Sequence, residues 1–221
     1  MPEVLSLAVV LFDQVFALDF QGPLALFSIL APDPEIAKLL PHTPAYNIAA
    51  SYLAVSADPV HAAGGPQLVP TRTYASVKPG EQFDIILIPG GLGTLPGVTN
   101  EAVIEFIKAQ APGAKYVLSV CTGSELLARA GVLAGKRATT NKASFVRIRD
   151  EHPTVEWVAK ARWVVDGKLW TSSGVTAGAD MGYAFTEFLV GHEIANTGRG
   201  VIELSKREQD DDEFAEFYKL V

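Results

Sequence analysis

Short, continuous apolar runs alternate along the chain with longer stretches in which apolar residues recur every three or four positions. Runs of the first kind are typical of strands buried on both faces, and stretches of the second kind are typical of amphipathic helices. The predicted strands cover residues 5–12, 46–55, 83–88 and 115–120. The predicted helices cover residues 22–30, 101–109, 124–130 and 180–190. This order predicts an α/β fold with a mostly parallel central sheet and helices on both of its faces.

Cap and turn residues mark several boundaries of these elements. Asn100 and Glu101 supply an N-cap and early negative charge for the second helix. Gly131 is placed to end the third helix, because glycine is the usual residue just beyond a helix C-terminus. Asp166 and Gly167 separate two apolar runs by two residues, which predicts a β-hairpin near the C-terminal third of the chain.

Composition and charge narrow the class of protein. The 221 residues contain no internal repeat and no Pro/Gly/Ser-rich linker, which predicts a single domain over residues 1–221. A formal net charge of −7 argues against a nucleic-acid partner, since binding phosphates requires clustered Lys and Arg. The apolar runs are shorter than the roughly 18 residues of a membrane span, and the first residues do not resemble a secretory signal. We therefore expect a cytoplasmic protein without membrane contact.

The sharpest chemical feature is the single cysteine, Cys121, at the junction of a predicted strand and the helix that follows it. Such a nucleophile elbow turns the chain sharply and aims the side chain into the crevice beyond the strand end. We expect the helix N-terminus to lower the thiol pKa, and the N–H of Thr122 to serve as an oxyanion donor. The alternative is that Cys121 is only a small buried hydrophobic residue.

Two further segments follow predicted strands. Pro89-Gly90-Gly91-Leu92-Gly93 offers backbone N–H groups that a ligand could approach closely, although a tight connection would also require these glycines. Asp19 lies between Leu18 and Phe20, and its partial burial would raise the carboxyl pKa and suit it to proton transfer near neutral pH. The alternative for Asp19 is an N-cap for the helix predicted from residue 22.

Other polar residues carry no predicted chemistry. The glycine-bearing loop at 173–180 could form the wall of a pocket, but Asp180 at its end is interpreted as a helix N-cap. The acidic run at 210–212 is interpreted as a solvated helix start. The four histidines are in no catalytic or metal-binding spacing and are assigned to structural or surface positions: His42, His61, His152 and His192. One cysteine and four scattered histidines also argue against a disulfide and against a structural zinc site.

Taken together, four segments resemble the ThiJ/PfpI superfamily, within the class I glutamine amidotransferase-like folds. They are LDFQGP at 18–23, ILIPGGLG at 86–93, VLSVCTGSELLARAGVLAGKRATTN at 117–141 and SSGVTAGAD at 172–180. Within that group the chain is most similar to isocyanide (isonitrile) hydratases, with Asp19 where other members have Glu and Thr122 where others have His. The resemblance implies a flavodoxin-like three-layer sandwich that forms a homodimer.

The resemblance also implies a site and a reaction. Cys121 would be the nucleophile, Asp19 would face its sulfur, and Gly91 and Thr122 would supply backbone oxyanion donors, with no metal or organic cofactor. The substrate would be a small-molecule electrophile, and the reaction would be hydration of an isonitrile to a formamide. Glyoxalase-like carbonyl chemistry and a redox sensor based on Cys121 are the alternatives. One departure is Asn141-Lys142, where similar proteins often carry a His-Trp pair.

Overall fold

The computed structural model describes residues 1–221, and a seven-stranded sheet forms its centre. The strands are β1 (Glu3–Val10), β2 (Tyr46–Ala54), β3 (Val60–His61), β4 (Gln67–Leu68), β5 (Arg72–Thr73), β6 (Ile85–Ile88), β7 (Tyr116–Ser119), β8 (Arg137–Ala138), β9 (Glu156–Trp157), β10 (Trp163–Asp166) and β11 (Leu169–Ser172). The central sheet has the order β10-β11-β7-β6-β1-β2-β5, and only the β10–β11 pair is antiparallel. β3 pairs with β4, and β8 with β9, outside that sheet.

Eight helices surround the sheet. They are α1 (Ala17–Phe27), α2 (Pro34–Ala37), α3 (Glu101–Gln110), α4 (Gly123–Arg129), α5 (Phe145–Glu151), α6 (Val175–Val190), α7 (His192–Val201) and α8 (Phe214–Phe217). α1, α6 and α7 pack against one another, while α3 packs against α4. The result is the predicted flavodoxin-like arrangement of a mostly parallel sheet with helices on both faces. None of these helices combines the length and the apolar character that crossing a membrane would require.

The centres of the predicted strands, the caps at Asn100 and Gly131, and the hairpin are confirmed. Asn100 accepts a hydrogen bond from the N–H of Ala102 at 3.0 Å, as an N-cap should. Gly131 has a φ of 77°, the left-handed conformation that glycine adopts most readily after a helix. β10 and β11 form the predicted hairpin around Gly167, which also has a positive φ.

The register of the parallel strands brings several strand ends to one edge of the sheet. Ser119, the last residue of β7, is opposite Ile88 in β6 and Thr171 in β11. The segments that follow β6, β7 and β11 therefore leave the sheet side by side. In open α/β sheets, this carboxyl edge is where ligands bind.

Two helix starts differ from the prediction. α1 begins at Ala17 rather than at residue 22, and α6 begins at Val175 rather than at Asp180. Asp180 therefore lies inside α6 and does not cap it. Its carboxylate accepts hydrogen bonds from the guanidinium of Arg162, with both side chains at least 95% buried, and from the N–H of Arg207 at 2.9 Å. A buried charge is tolerated when it is paired and hydrogen-bonded in this way.

A second buried ion pair shows that the acidic run at 210–212 is not simply a solvated helix start. Asp212 is buried, and its carboxylate lies 3.1 Å from the Nζ of Lys142 and accepts a hydrogen bond from the N–H of Ala161 at 3.2 Å. Asp210 and Asp211 are exposed, as expected. Together with the Asp180 contacts, this pair fixes the C-terminal segment against the loop before β10.

We predict that Asp180→Ala destabilises the protein by about 3–5 kcal/mol, because it leaves the Arg162 guanidinium buried without its partner. Urea unfolding monitored by circular dichroism measures the effect. Asp211→Ala is the matched control, since that exposed carboxylate should contribute within about 0.5 kcal/mol. Equal effects of the two substitutions would show that the buried pair does not stabilise the fold.

Candidate active site

Cys121 occupies a strained turn between β7 and α4. Its φ is 59°, which is unfavourable for any residue with a side chain and is typical of a nucleophile elbow. Gly123, the first residue of α4, has no room for a Cβ, which would collide with the carbonyl oxygen of Ile88. The sequence Cys-Thr-Gly thus allows α4 to start directly against the end of β6. The predicted elbow is confirmed in its backbone geometry.

Hydrogen bonds from three directions hold the Cys121 backbone in this conformation. Its N–H donates to the carbonyl oxygen of Ser173 at 2.8 Å. Its carbonyl oxygen accepts from the hydroxyls of Ser124 at 3.2 Å and Thr140 at 3.1 Å. Strain of this kind persists only where the surrounding structure fixes it, and it concentrates at functional sites.

Asp19 lies in the first turn of α1 and is completely buried. Its Oδ2 accepts a hydrogen bond from the N–H of Gly90 at 2.8 Å, whereas its Oδ1 has no nitrogen or oxygen partner. Asp19 is therefore not the N-cap of the helix. A Cβ on Gly90 would lie 2.9 Å from Asp19 Oδ2 and 2.6 Å from Thr122 N, so only glycine allows this approach.

The Asp19 carboxyl and the Cys121 thiol are close enough that each shifts the pKa of the other. Burial raises the pKa of Asp19 from 3.8 to about 7, against the lowering effect of the Gly90 N–H and of Cys121. Burial, and then the negative charge of Asp19, raises the pKa of the Cys121 thiol well above its ordinary value. The predicted lowering of the thiol pKa is therefore wrong. The Thr122 N–H and hydroxyl favour the thiolate, but burial beside a carboxylate outweighs them.

Gly91 and Thr122, the two predicted oxyanion donors, come together beside this pair. The N–H of Gly91 donates to the Thr122 hydroxyl oxygen at 3.1 Å, and the Thr94 hydroxyl donates to the same oxygen at 2.9 Å. Gly91 has a φ of 138°, and a Cβ there would collide with the backbone of Gln14. The sequence alone does not distinguish Gly90 from Gly91 as the donor to Asp19, because either glycine fits the same loop.

Lys142, the second residue of the Asn141-Lys142 pair, is a buried structural residue. Besides Asp212, its Nζ contacts the Thr139 hydroxyl at 2.8 Å and the carbonyl oxygen of Ala161 at 2.9 Å. Thr139 is next to Thr140, which bonds the Cys121 backbone. Lys142 therefore supports the Cys121 backbone indirectly, through the Thr139-Thr140 segment, and its Nζ bonds neither Cys121 nor Asp19.

One cluster of side chains has the composition of a metal site. Ligand atoms of Glu125, Glu151 and His152 lie within 4.8 Å of one another. The guanidinium of Arg147, however, donates to both oxygens of Glu125 at 2.8 Å and to Glu151 at 2.8 Å. Because this guanidinium already bonds oxygens of both carboxylates, we assign the cluster to an ion-pair network.

Comparison with known proteins places the chain among related sequences. The profile of the DJ-1/PfpI family matches residues 6–187. The chain is 38% identical to an isonitrile hydratase of Pseudomonas putida, over 86% of this chain and 75% of that protein. It is 37% identical to a deglycase of Pyrococcus horikoshii, but over only 48% of this chain and 60% of that protein.

Among solved structures, a ThiJ/PfpI family protein from Pseudomonas syringae superposes with a TM-score of 0.76 at 25% identity. That alignment covers 94% of this chain and 78% of the other. The fold and the family profile both agree with the resemblance drawn from the sequence. The chain belongs to the DJ-1/PfpI family.

Proposed function

We propose that this protein is a cofactor-independent hydro-lyase that converts isonitriles into N-substituted formamides. The observation that carries the proposal is the buried pair of Asp19 and Cys121 at the strained elbow, in which the carboxyl titrates near neutral pH. Such a pair combines a nucleophile with a proton shuttle. The 38% identity with an isonitrile hydratase supports this choice of reaction.

The first step forms a carbon–sulfur bond. The Asp19 carboxylate takes the proton of the Cys121 thiol as the sulfur attacks the terminal carbon of the isonitrile. Asp19 then gives that proton to the same carbon, which leaves a covalent thioimidate. The free Oδ1 of Asp19 is the oxygen available for this transfer, because Oδ2 is held by the Gly90 N–H. The N–H of Thr122 stabilises negative charge on the sulfur.

The second step consumes water. Water adds to the carbon of the thioimidate, and Asp19 accepts one of the two water protons. The other proton passes from the added hydroxyl to the substrate nitrogen as the carbonyl forms. The carbon–sulfur bond then breaks as Asp19 returns its proton to the leaving sulfur. The products are the formamide and the original thiol, so that one isonitrile and one water give one formamide.

Carbonyl chemistry is the second candidate, because the deglycase similarity favours it. The same pair would attack an aldehyde rather than an isonitrile carbon. A redox sensor is less favoured, since oxidation requires an accessible thiolate, whereas Cys121 is 2% exposed and has a raised pKa.

We predict that the native protein converts phenyl isonitrile to N-phenylformamide and that Cys121→Ala reduces kcat by at least about 10³-fold, because no covalent intermediate can form. Product identification by mass spectrometry measures this. Methylglyoxal, with detection of lactate, is the parallel substrate. Lactate without formamide would reject the hydratase and favour carbonyl chemistry.

The pH dependence of kcat/KM should follow Asp19. Attack requires the form in which Asp19 and Cys121 together hold one proton. This form is populated once pH exceeds the Asp19 pKa of about 7. We expect kcat/KM to rise about tenfold per pH unit below pH 6 and to level off above about pH 8. Asp19→Asn should remove this rise together with most of the activity. A rate that falls through pH 7 would instead show that protonated Asp19 is required at the start.

The same titration predicts an effect on stability that does not depend on activity. Because the folded pKa lies above the unfolded value of 3.8, the folded state holds the proton more tightly, and stability falls as pH rises from about 4 to 7. Relative to Asp19→Asn, the native protein should lose on the order of 4 kcal/mol over that window. Urea unfolding at pH 4, 6 and 8 measures the loss.

Cys121→Ala is the control for this measurement, since burial is the main cause of the Asp19 shift and that variant keeps the carboxyl buried. It should therefore retain the pH dependence of stability. A difference between native protein and Asp19→Asn that is constant from pH 4 to 8 would show that Asp19 titrates normally.

A further inference from the structure

The Thr122 hydroxyl, next to the nucleophile, receives hydrogen bonds from two donors at once. The N–H of Gly91 donates to its oxygen at 3.1 Å, and the hydroxyl of Thr94 donates to it at 2.9 Å. A hydroxyl has two acceptor lone pairs and one proton, so these bonds leave Thr122 with only its proton to give. The same hydroxyl is close enough to Cys121 to favour the thiolate. Its proton is therefore the part that can contact the sulfur.

The direction of the Thr94 hydroxyl proton decides where the Thr122 proton goes. Thr94 Oγ1 lies 2.9 Å from the Gly91 carbonyl oxygen and 2.9 Å from Thr122 Oγ1, and its single proton can serve only one of them fully. The Gly91 carbonyl oxygen already accepts a hydrogen bond from the N–H of Thr94 at 3.2 Å. Because that carbonyl has a partner without the hydroxyl, the Thr94 proton is available to Thr122.

Thr94 is fixed in this position from the side of α4. Its side chain is completely buried in the loop after β6. The Arg129 guanidinium, near the end of α4, donates to the Thr94 carbonyl oxygen at 3.3 Å and to the Thr99 hydroxyl at 2.7 Å. α4 is the helix that follows the Cys121 turn, so one helix connects that turn to the loop. The Thr94 hydroxyl bonds Gly91 and Thr122 but not the sulfur, so it can act on the sulfur only through another group.

We propose that Thr94 is a positioning residue, which directs the proton of the Thr122 hydroxyl onto the Cys121 sulfur. This role rests on the proposed function, in which that sulfur attacks the substrate and later leaves its carbon. Both steps develop negative charge on the sulfur, and a hydroxyl proton already fixed towards it stabilises that charge without reorganisation. A hydroxyl that accepts a hydrogen bond from Thr94 is also a stronger donor, because hydrogen bonds in a chain polarise one another.

The test is a double-mutant cycle in the full-length protein, with kcat/KM for phenyl isonitrile as the measured quantity. Thr94→Val should lower kcat/KM about tenfold, and Thr94→Ser, which keeps the hydroxyl, should stay within about twofold of the native protein. In a Thr122→Val background, Thr94→Val should have no further effect. Thr99→Val is the matched control in the same loop, because the Thr99 hydroxyl bonds Leu95 and Arg129 rather than Thr122. It should change kcat/KM less than about twofold.

Three results of this cycle would overturn the proposal. A rise in kcat/KM on Thr94→Val would show that the Thr94 hydroxyl accepts the Thr122 proton and keeps it away from the sulfur. Equal effects of Thr94→Val in the native and Thr122→Val backgrounds would show that Thr94 supports the loop without acting through Thr122. An unchanged kcat/KM in Thr94→Val would remove Thr94 from the site.

The infrared S–H stretching band separates failure of this inference from failure of the hydratase. Cys121 is the only cysteine, so the band comes from that sulfur alone, and Cys121→Ala supplies the blank. Burial raises the pKa of this thiol, so the S–H bond is intact at neutral pH. Because the band frequency depends on the hydrogen bonds that the sulfur accepts, Thr122→Val and Thr94→Val should shift it in the same direction, and Thr99→Val should leave it unchanged. If no isonitrile is turned over, the hydratase fails and this band still decides the inference, which an unshifted band in Thr94→Val would overturn.

Discussion

The burial of the Asp19 carboxyl beside the Cys121 thiol is the constraint on which the rest of the site depends. A carboxyl without water must be hydrogen-bonded or protonated, and here one oxygen is bonded to the Gly90 N–H while the other has no nitrogen or oxygen partner. Burial raises the pKa of Asp19 to about 7, and in the proposed mechanism the free oxygen carries the proton. It also explains the glycine at position 90, since any side chain there would displace the carboxyl or Thr122.

The topology of the sheet brings these groups together from distant parts of the sequence. α1 presents Asp19, the turn after β6 presents Gly90 and Gly91, and the turn after β7 presents Cys121. β6 is the neighbour of both β1 and β7, so the three segments meet at one carboxyl edge. No single loop contains the site, and its geometry therefore depends on strand register, which the apolar strands fix through burial on both faces.

The sequence predicts the structure correctly where neighbouring residues determine it. It fails where the decisive partner is a charged residue far away in the chain. The buried strands, the Asn100 cap and the elbow at Cys121 follow from residues adjacent in the chain. Asp180 has the local context of a helix cap, yet its carboxylate is bound by Arg162 from another element. Asp212 likewise belongs to an acidic run and is buried only because Lys142 faces it. Charged partners from distant segments leave no periodic pattern in the sequence.

The thiol pKa shows why even a recognised motif did not determine the chemistry. An elbow directs backbone N–H groups towards the sulfur, which predicts a stable thiolate, but the same turn buries the sulfur next to a carboxyl. Because desolvation outweighs the N–H groups, Cys121 rests as a thiol, and in the proposed mechanism its attack depends on Asp19. Such a pair can attack an isonitrile carbon or an aldehyde with the same first transfer of a proton. The choice of substrate must therefore lie outside the pair, in the side chains that line the approach to it.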